Sequence, residues 1–223
     1  MTGNLNRQKD YHVDVLTRMN RLGVMRKLAM LDADEEPFFD RLTHLASEVI
    51  GVPVSLVSMV SANYQFFKSS VGLPEPWNSE RRTPLSHSFC QHVVTTGKPL
   101  IVEDAREVDF LKDNLAIPDL DVISYLGMPL RTEDGENLGS FCVIDSQPHK
   151  WTDDEIAIIE AFSRVVNAEI DARGDAYNEK RLEDYVANVS RPRLDDLEAD
   201  LKSAQTTQAI VERMDTLAAA IRD

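Results

Sequence analysis

The sequence predicts an α+β fold: an antiparallel β-sheet with helices packed on it, extended by C-terminal helices. Three observations lead there. Two pairs of β-rich runs each flank a short connection, as hairpins do. Apolar residues at three- and four-residue spacing precede and follow those runs. Helices grouped before and after the strands, instead of alternating with them, argue against a doubly wound nucleotide fold.

The first stretch reads as helix, with Val13, Leu16 and Met19, then Val24, Met25 and Leu28, at roughly helical spacing. A second helix follows Asp34, Glu35, Glu36 and Pro37, residues suited to a first turn. It carries Phe38, Leu42, Leu45 and Val49 on one face and is stopped by Gly51. Residues 52–60 (VPVSLVSMV) and 65–71 (QFFKSSV) then read as antiparallel strands joined by a four-residue turn. Residues 72–86 hold three prolines and a glycine and read as a loop. A short helix from about Ser88 carries Phe89, Cys90, Val93 and Val94, and ends at Gly97 and Pro99.

Residues 98–103 read as a short strand, and 104–121 (DAREVDFLKDNLAIPDLD) are too irregular for one element. Residues 122–130 and 138–145 form a second hairpin around Glu133-Asp134-Gly135, because Asp-Gly tolerates positive φ. Thr152 and Glu155 match a capping box and Trp151 with Ile156 a hydrophobic staple, opening a helix with Ile159, Phe162, Val166 and Ile170 on one face. Beyond Gly174 the chain is polar and helical, with Leu182, Val186 and Val189, then Leu194, Leu197 and Leu201, then Ile210, Met214, Leu217 and Ile221. Such helices pack on one another or on a second chain.

Composition limits the function classes. The net charge of −14 repels phosphate backbones and anionic lipid, so neither nucleic acid nor membrane is expected as a partner. No run approaches the ~18 apolar residues of a membrane span, and the N-terminus has no signal-peptide character. Two cysteines cannot make a disulfide framework or a zinc ribbon, which points to the cytoplasm.

Several segments together resemble the GAF domain family of small-molecule-binding sensory modules. They are FFDRLTHLASEVIGVPVSLVSMV at 38–60, QFFKSSVGLP at 65–74, SFCQHVVTTGKPLIVEDA at 88–105, YLGMPLRTEDGENLGSFCVID at 125–145 and WTDDEIAIIEAF at 151–162. The likeness covers about residues 25–170. It divides the chain into an N-terminal helix at 1–24, a GAF domain at 25–172 and a C-terminal helical dimerisation segment at 173–223. It implies a regulatory protein that binds a small molecule, relays its state through a homodimer or a signalling partner, and is not an enzyme. The ligand is unknown, because members of the family bind cyclic nucleotides, bilins, haem, 2-oxo acids or nothing identified, and fold does not fix function.

The family's pocket would lie between the sheet and residues 83–94 and 104–120. The candidate ligand-binding residues are therefore Phe67, Phe89, Cys90, Asp109, Phe110, Asn114, Tyr125 and Met128. Phe67, Phe89, Phe110 and Met128 also suit an ordinary core, while Asp109 and Asn114 also suit loop caps. His87, Cys90 and His92 invite a metal reading, but zinc wants about four ligands and no second cluster follows. His87 or His92 alone could serve a haem, as in some family members.

Cys90 matches a cysteine of the free methionine sulfoxide reductases of this family, and a thiol at a helix start is made more acidic by the dipole. Residues 107–122, where their catalytic cysteine would fall, contain none, and Cys142 reads as a small buried hydrophobe. The Asn-Lys…Phe…Asp-Glu series of cyclic-nucleotide binders is missing between 100 and 150, and Gln91 separates Cys90 from His92 where bilin binders pair a cysteine with a histidine. Residues 185–194, YVANVSRPRL, are similar to the dimerisation helix of sensor histidine kinases. Arg191 stands in the place of the phosphoacceptor histidine, and Pro192 suggests a break there.

Overall fold

The computed structural model describes residues 13–31, 36–175 and 207–222. Its centre is one six-stranded antiparallel sheet. The strands are β1 (Val54–Val60), β2 (Tyr64–Val71), β3 (Arg82–Pro84), β4 (Leu100–Val102), β5 (Ser124–Arg131) and β6 (Asn137–Asp145), in the order β3-β2-β1-β6-β5-β4. The helices are α1 (Met19–Lys27), α2 (Pro37–Ile50), α3 (Trp77–Glu80), α4 (Cys90–Thr96), α5 (Ala116–Leu120), α6 (Asp153–Asp175) and α7 (Thr207–Arg222). The α+β reading holds, with both hairpins in place.

Local signals account for the element ends. Pro37 opens α2 at a position whose N–H would have no intrahelical partner, and Gly51 closes it with φ 78° while donating to the Ser47 carbonyl at 2.8 Å. The capping box of α6 is reciprocal. The Glu155 carboxylate accepts from the Thr152 N–H at 2.7 Å, and the Thr152 hydroxyl accepts from the Glu155 N–H at 3.2 Å. Gly135 turns the β5–β6 hairpin with φ 86°.

Two expectations change, at 72–86 and in the first stretch, and the irregular reading of 104–121 holds. Residues 72–86 are not all loop, because they hold α3 and β3, and β3 pairs with the outer edge of β2. Pro84 ends β3 where its missing N–H breaks no ladder. Within 104–121, Ala105–Glu107 form a 3-10 turn and Ala116–Leu120 form α5. In the first stretch Leu16, Met25 and Leu28 are buried, but Val13 and Met19 are exposed.

The sheet separates two apolar clusters. On one face Val57, Met59, Leu126, Met128, Phe141 and Val143 pack against α2 and α6, with Phe141 stacked on Phe162 at 5.5 Å between centroids. Ile210, Met214, Leu217 and Ile221 of α7 join that cluster, so the apolar stripe of the last helix is used within the chain. The stripes at 182–201, and with them the kinase-like 185–194, lie outside the described residues.

A four-charge network ties this face together. Glu36, just before α2, meets Lys68 of β2 at 2.5 Å and Arg173 of α6, and Arg173 also meets Glu169 at 3.0 Å. Lys68, Glu169 and Arg173 are buried. Lys68 is the extra residue of the β1–β2 bulge, and it also donates to the Ala29 carbonyl at 3.0 Å. Two positive and two negative charges balance, which is what makes their burial tolerable.

Burial pushes the Glu36 carboxyl up, but the hydrogen bonds and charges of Arg173 and Lys68 outweigh it and hold the group below its ordinary value of 4.5. As pH falls, the unfolded chain therefore takes up this proton before the folded one. The stability from Glu36 is complete above about 4.5 and is lost as pH drops through the lowered folded value. Glu36→Gln, which leaves Lys68 and Arg173 short of an anion, should lower unfolding free energy at neutral pH by about 3 kcal/mol. It should also flatten the acid limb below about 4.5. Urea melts across a pH series check both, and matching curves for wild type and variant would contradict the assignment.

Candidate functional site

The other face of the sheet holds the second cluster. Strand alternation sends Leu56, Phe67, Tyr125, Cys142 and Ile144 to this side, where Phe89, Cys90, Val93 and Val94 cover them. Tyr125 crosses the face at a specific place. A Cβ on Gly127, two residues along β5, would sit 2.3 Å from the Tyr125 hydroxyl, so glycine is what lets the ring lie flat there. That hydroxyl donates to Cys90 Sγ at 3.3 Å and contacts Ser140 Oγ at 3.0 Å. Phe89 and Tyr125 rings pack at 5.5 Å.

Between this face and its cover lies a cavity of about 20 Å³, room for about one water. Phe67, Phe89, Tyr125 and Leu120 line it, with Gln65, His87 and Cys90 as polar groups and neither Arg nor Lys among the lining residues. Its roof is built from short elements held by side-chain ties. His87, in the 3-10 turn Leu85–His87, contacts Asp119 of α5 through Nε2 at 2.9 Å and Ser86 through Nδ1 at 3.0 Å. Asn114 donates to the Ser88 carbonyl at 3.3 Å and accepts from the Ala116 N–H at 3.0 Å in a local turn leading into α5. The Leu115 N–H donates to the Ser86 carbonyl at 3.1 Å. Ser88 donates to Gln65 from beneath and accepts from the Gln91 N–H at 3.1 Å.

Of the eight residues singled out from the sequence, the structure brings Phe67, Phe89, Cys90 and Tyr125 together around the cavity. Asn114 stands one layer out, in the ties of the roof. Met128 lies on the opposite face among the α6 contacts, because it stands three positions from Tyr125, an odd offset, and a strand alternates every residue. Phe110 is 55% exposed and packs its edge on His92 outside α4. Asp109 is exposed and pairs with Lys112 at 2.9 Å. His87, Cys90 and His92 therefore have three different sets of neighbours, and among the described residues no group of three or more metal-ligating side chains is found. Gln65, Ser88 and Asp119 are not singled out by the sequence, and His87 and Cys142 figure there in other roles; the pairings of Gln65 with Ser88, His87 with Asp119 and Cys90 with Cys142 span distances along the chain that no local motif marks.

The model of the GAF domain matches residues 34–170. The chain belongs to the GAF domain family. Among solved structures it is similar to the GAF domain of a phosphoenolpyruvate-protein phosphotransferase from Coxiella burnetii, at 18% identity and TM-score 0.51 over 69% of this chain and 94% of that one. The corresponding domain from Acinetobacter gives 14% identity and TM-score 0.50 over 67% and 92%. At such identities these two speak for the GAF fold alone.

A curated relative, a cyclic di-GMP phosphodiesterase of Pseudomonas aeruginosa, is 30% identical over 179 residues, covering 75% of this chain and 30% of its own length. The expectation that the chain is not an enzyme is overturned by this relative, whose name is that of an enzyme. That expectation came from the family resemblance, and fold does not fix function. No described helix of this GAF domain chain is long and apolar enough to cross a membrane.

The His87–Asp119 contact is the tie most open to solvent, with Asp119 half exposed. Asp119→Ala should loosen the roof and raise the labelling rate of Cys90 by a small thiol reagent roughly two- to fivefold, in line with the ~0.2–1 kcal/mol of a surface pair. The melting temperature should barely move. Equal labelling rates in the two proteins would show that the contact does not hold the roof.

Proposed function

We propose that this GAF domain chain is a regulatory module that binds a small molecule under the roof formed by residues 85–90 and 114–120 and relays its state to α6 and α7. The observation that carries this is the cavity between sheet and roof, apolar with a few converging polar groups, in the arrangement usual for ligand sites. The ligand class is small and uncharged, since the lining offers no Arg or Lys to neutralise a phosphate. Binding would displace the roof, and β5 and β6, which contribute side chains to both faces, would carry the change to α6. Association of two copies through the helical segments belongs to the same reading. By analogy with the Pseudomonas relative, the regulated output is cyclic di-GMP turnover.

The volume of about 20 Å³, well below the ~300–1,000 Å³ of ordinary ligand pockets, favours a second reading, a structural dimer whose pocket is filled by Phe67, Phe89 and Tyr125. Native mass spectrometry of protein from its own host, against the denatured mass, separates the two. A non-covalent mass excess per subunit supports the sensor, whereas a clean dimer mass supports the filled pocket. Cyclic di-GMP hydrolysis by the same preparation, before and after the bound molecule is removed, reads the output. A rate that changes on removal supports regulation, and an unchanged rate opposes it.

A further inference from the structure

The chain's two cysteines meet. Cys90 heads α4 and Cys142 sits in β6, both buried, with their sulfurs 3.9 Å apart. That is a non-bonded contact, and a disulfide of about 2.0 Å needs an approach of about 2 Å. β6 is held by β1 on one side and β5 on the other, so the movement falls to α4. There Cys90 is the first residue of a seven-residue helix, and its neighbours on the chain side are the short turn and Phe89.

The two thiols are not equivalent. Cys90 lines the cavity, and Cys142 does not. The Tyr125 hydroxyl donates to Cys90 Sγ at 3.3 Å and so supports negative charge on that sulfur. Burial disfavours ionisation of both. At Cys90 the contacts from Cys142 and the Tyr125 hydroxyl outweigh burial and hold its thiol below the ordinary value. At Cys142 burial, reinforced by Cys90, pushes the thiol well above it. Cys90 is thus the sulfur that a molecule in the cavity meets and the one readier to attack.

We infer that Cys90 and Cys142 are an oxidisable dithiol, in which a hydroperoxide small enough for the cavity oxidises Cys90 and Cys142 then closes a disulfide. The cavity, of about 20 Å³, suits a molecule of about the size of water, and hydrogen peroxide is little larger. In the first step the Cys90 sulfur attacks one peroxide oxygen. The S–O bond forms, the O–O bond breaks, and the departing oxygen takes the thiol proton and leaves as water. In the second step the Cys142 sulfur attacks the Cys90 sulfur, the S–S bond forms, and the hydroxyl leaves as water with the Cys142 proton. Two thiols lose two electrons and one peroxide becomes two waters. Closure draws Cys90 toward β6, and Phe89, beside it in the roof, moves with it. The inference stands apart from the ligand reading, needing only the two sulfurs and the cavity.

The test uses the full chain and hydrogen peroxide. After exposure the protein is quenched, unfolded and treated with a maleimide, and its intact mass and peptide map are recorded. Both thiols should be lost together, with the loss of two hydrogens and a peptide linking Cys90 to Cys142, and dithiothreitol should restore both. Cys142→Ser should instead gain one oxygen at Cys90, trapped by dimedone, and Cys90→Ser should keep its Cys142 thiol. Two alkylatable thiols surviving a peroxide dose that oxidises free cysteine would overturn the proposal. So would a disulfide between two chains, or rapid oxidation of Cys142 in Cys90→Ser. The wild-type arm decides the matter even if a variant fails to fold.

Discussion

The constraint on which the structure depends is that β1, β5 and β6 are covered on both faces. The buried apolar residues of these strands are divided between two cores, largely by strand alternation, and a slip of one position would exchange them. Gly139 shows how tightly the strands are set, since a Cβ there would lie 2.0 Å from the Ser58 carbonyl oxygen of the neighbouring strand. Gly127 does the same for the site, leaving room for the Tyr125 ring across the sheet.

The two covers are built differently. On one face, long helices bury a wide apolar surface and a balanced set of four charges links α2, β2 and α6. On the other, a turn, two short helices and a few side-chain hydrogen bonds close over the cavity. Net contributions of about 0.5–1.5 kcal/mol per hydrogen bond make the second cover the one that opens first. On the proposed readings, such a division would let the site face admit a small molecule, or shift after oxidation at Cys90, while the helical face keeps the fold.

Much of the fold was legible because it rests on local chemistry. The Thr152–Glu155 box, the Asp134-Gly135 turn and the Gly51 stop each act within a few residues. β3 was not legible, since Arg82-Thr83-Pro84 becomes a strand only against the edge of β2. The site was half legible. Phe67, Phe89, Cys90 and Tyr125 sit in periodic segments, whereas Phe110 lies in an irregular stretch where nothing distinguishes inside from outside. Met128 could have been set aside by its odd spacing from Tyr125. The pairing of His87 with Asp119 and of Cys90 with Cys142 joins residues 32 and 52 positions apart, and the tertiary fold alone brings them together.

The most direct test of the central claim is hydrogen exchange on the whole chain, followed by mass spectrometry at a series of low urea concentrations. The account predicts that amides of residues 85–90 and 114–120 exchange through small local openings nearly independent of urea, while those of β6 and α6 exchange only with global unfolding. Exchange of the roof with the same urea dependence as β6 and α6 would contradict it, because site face and helix face would then open as one unit.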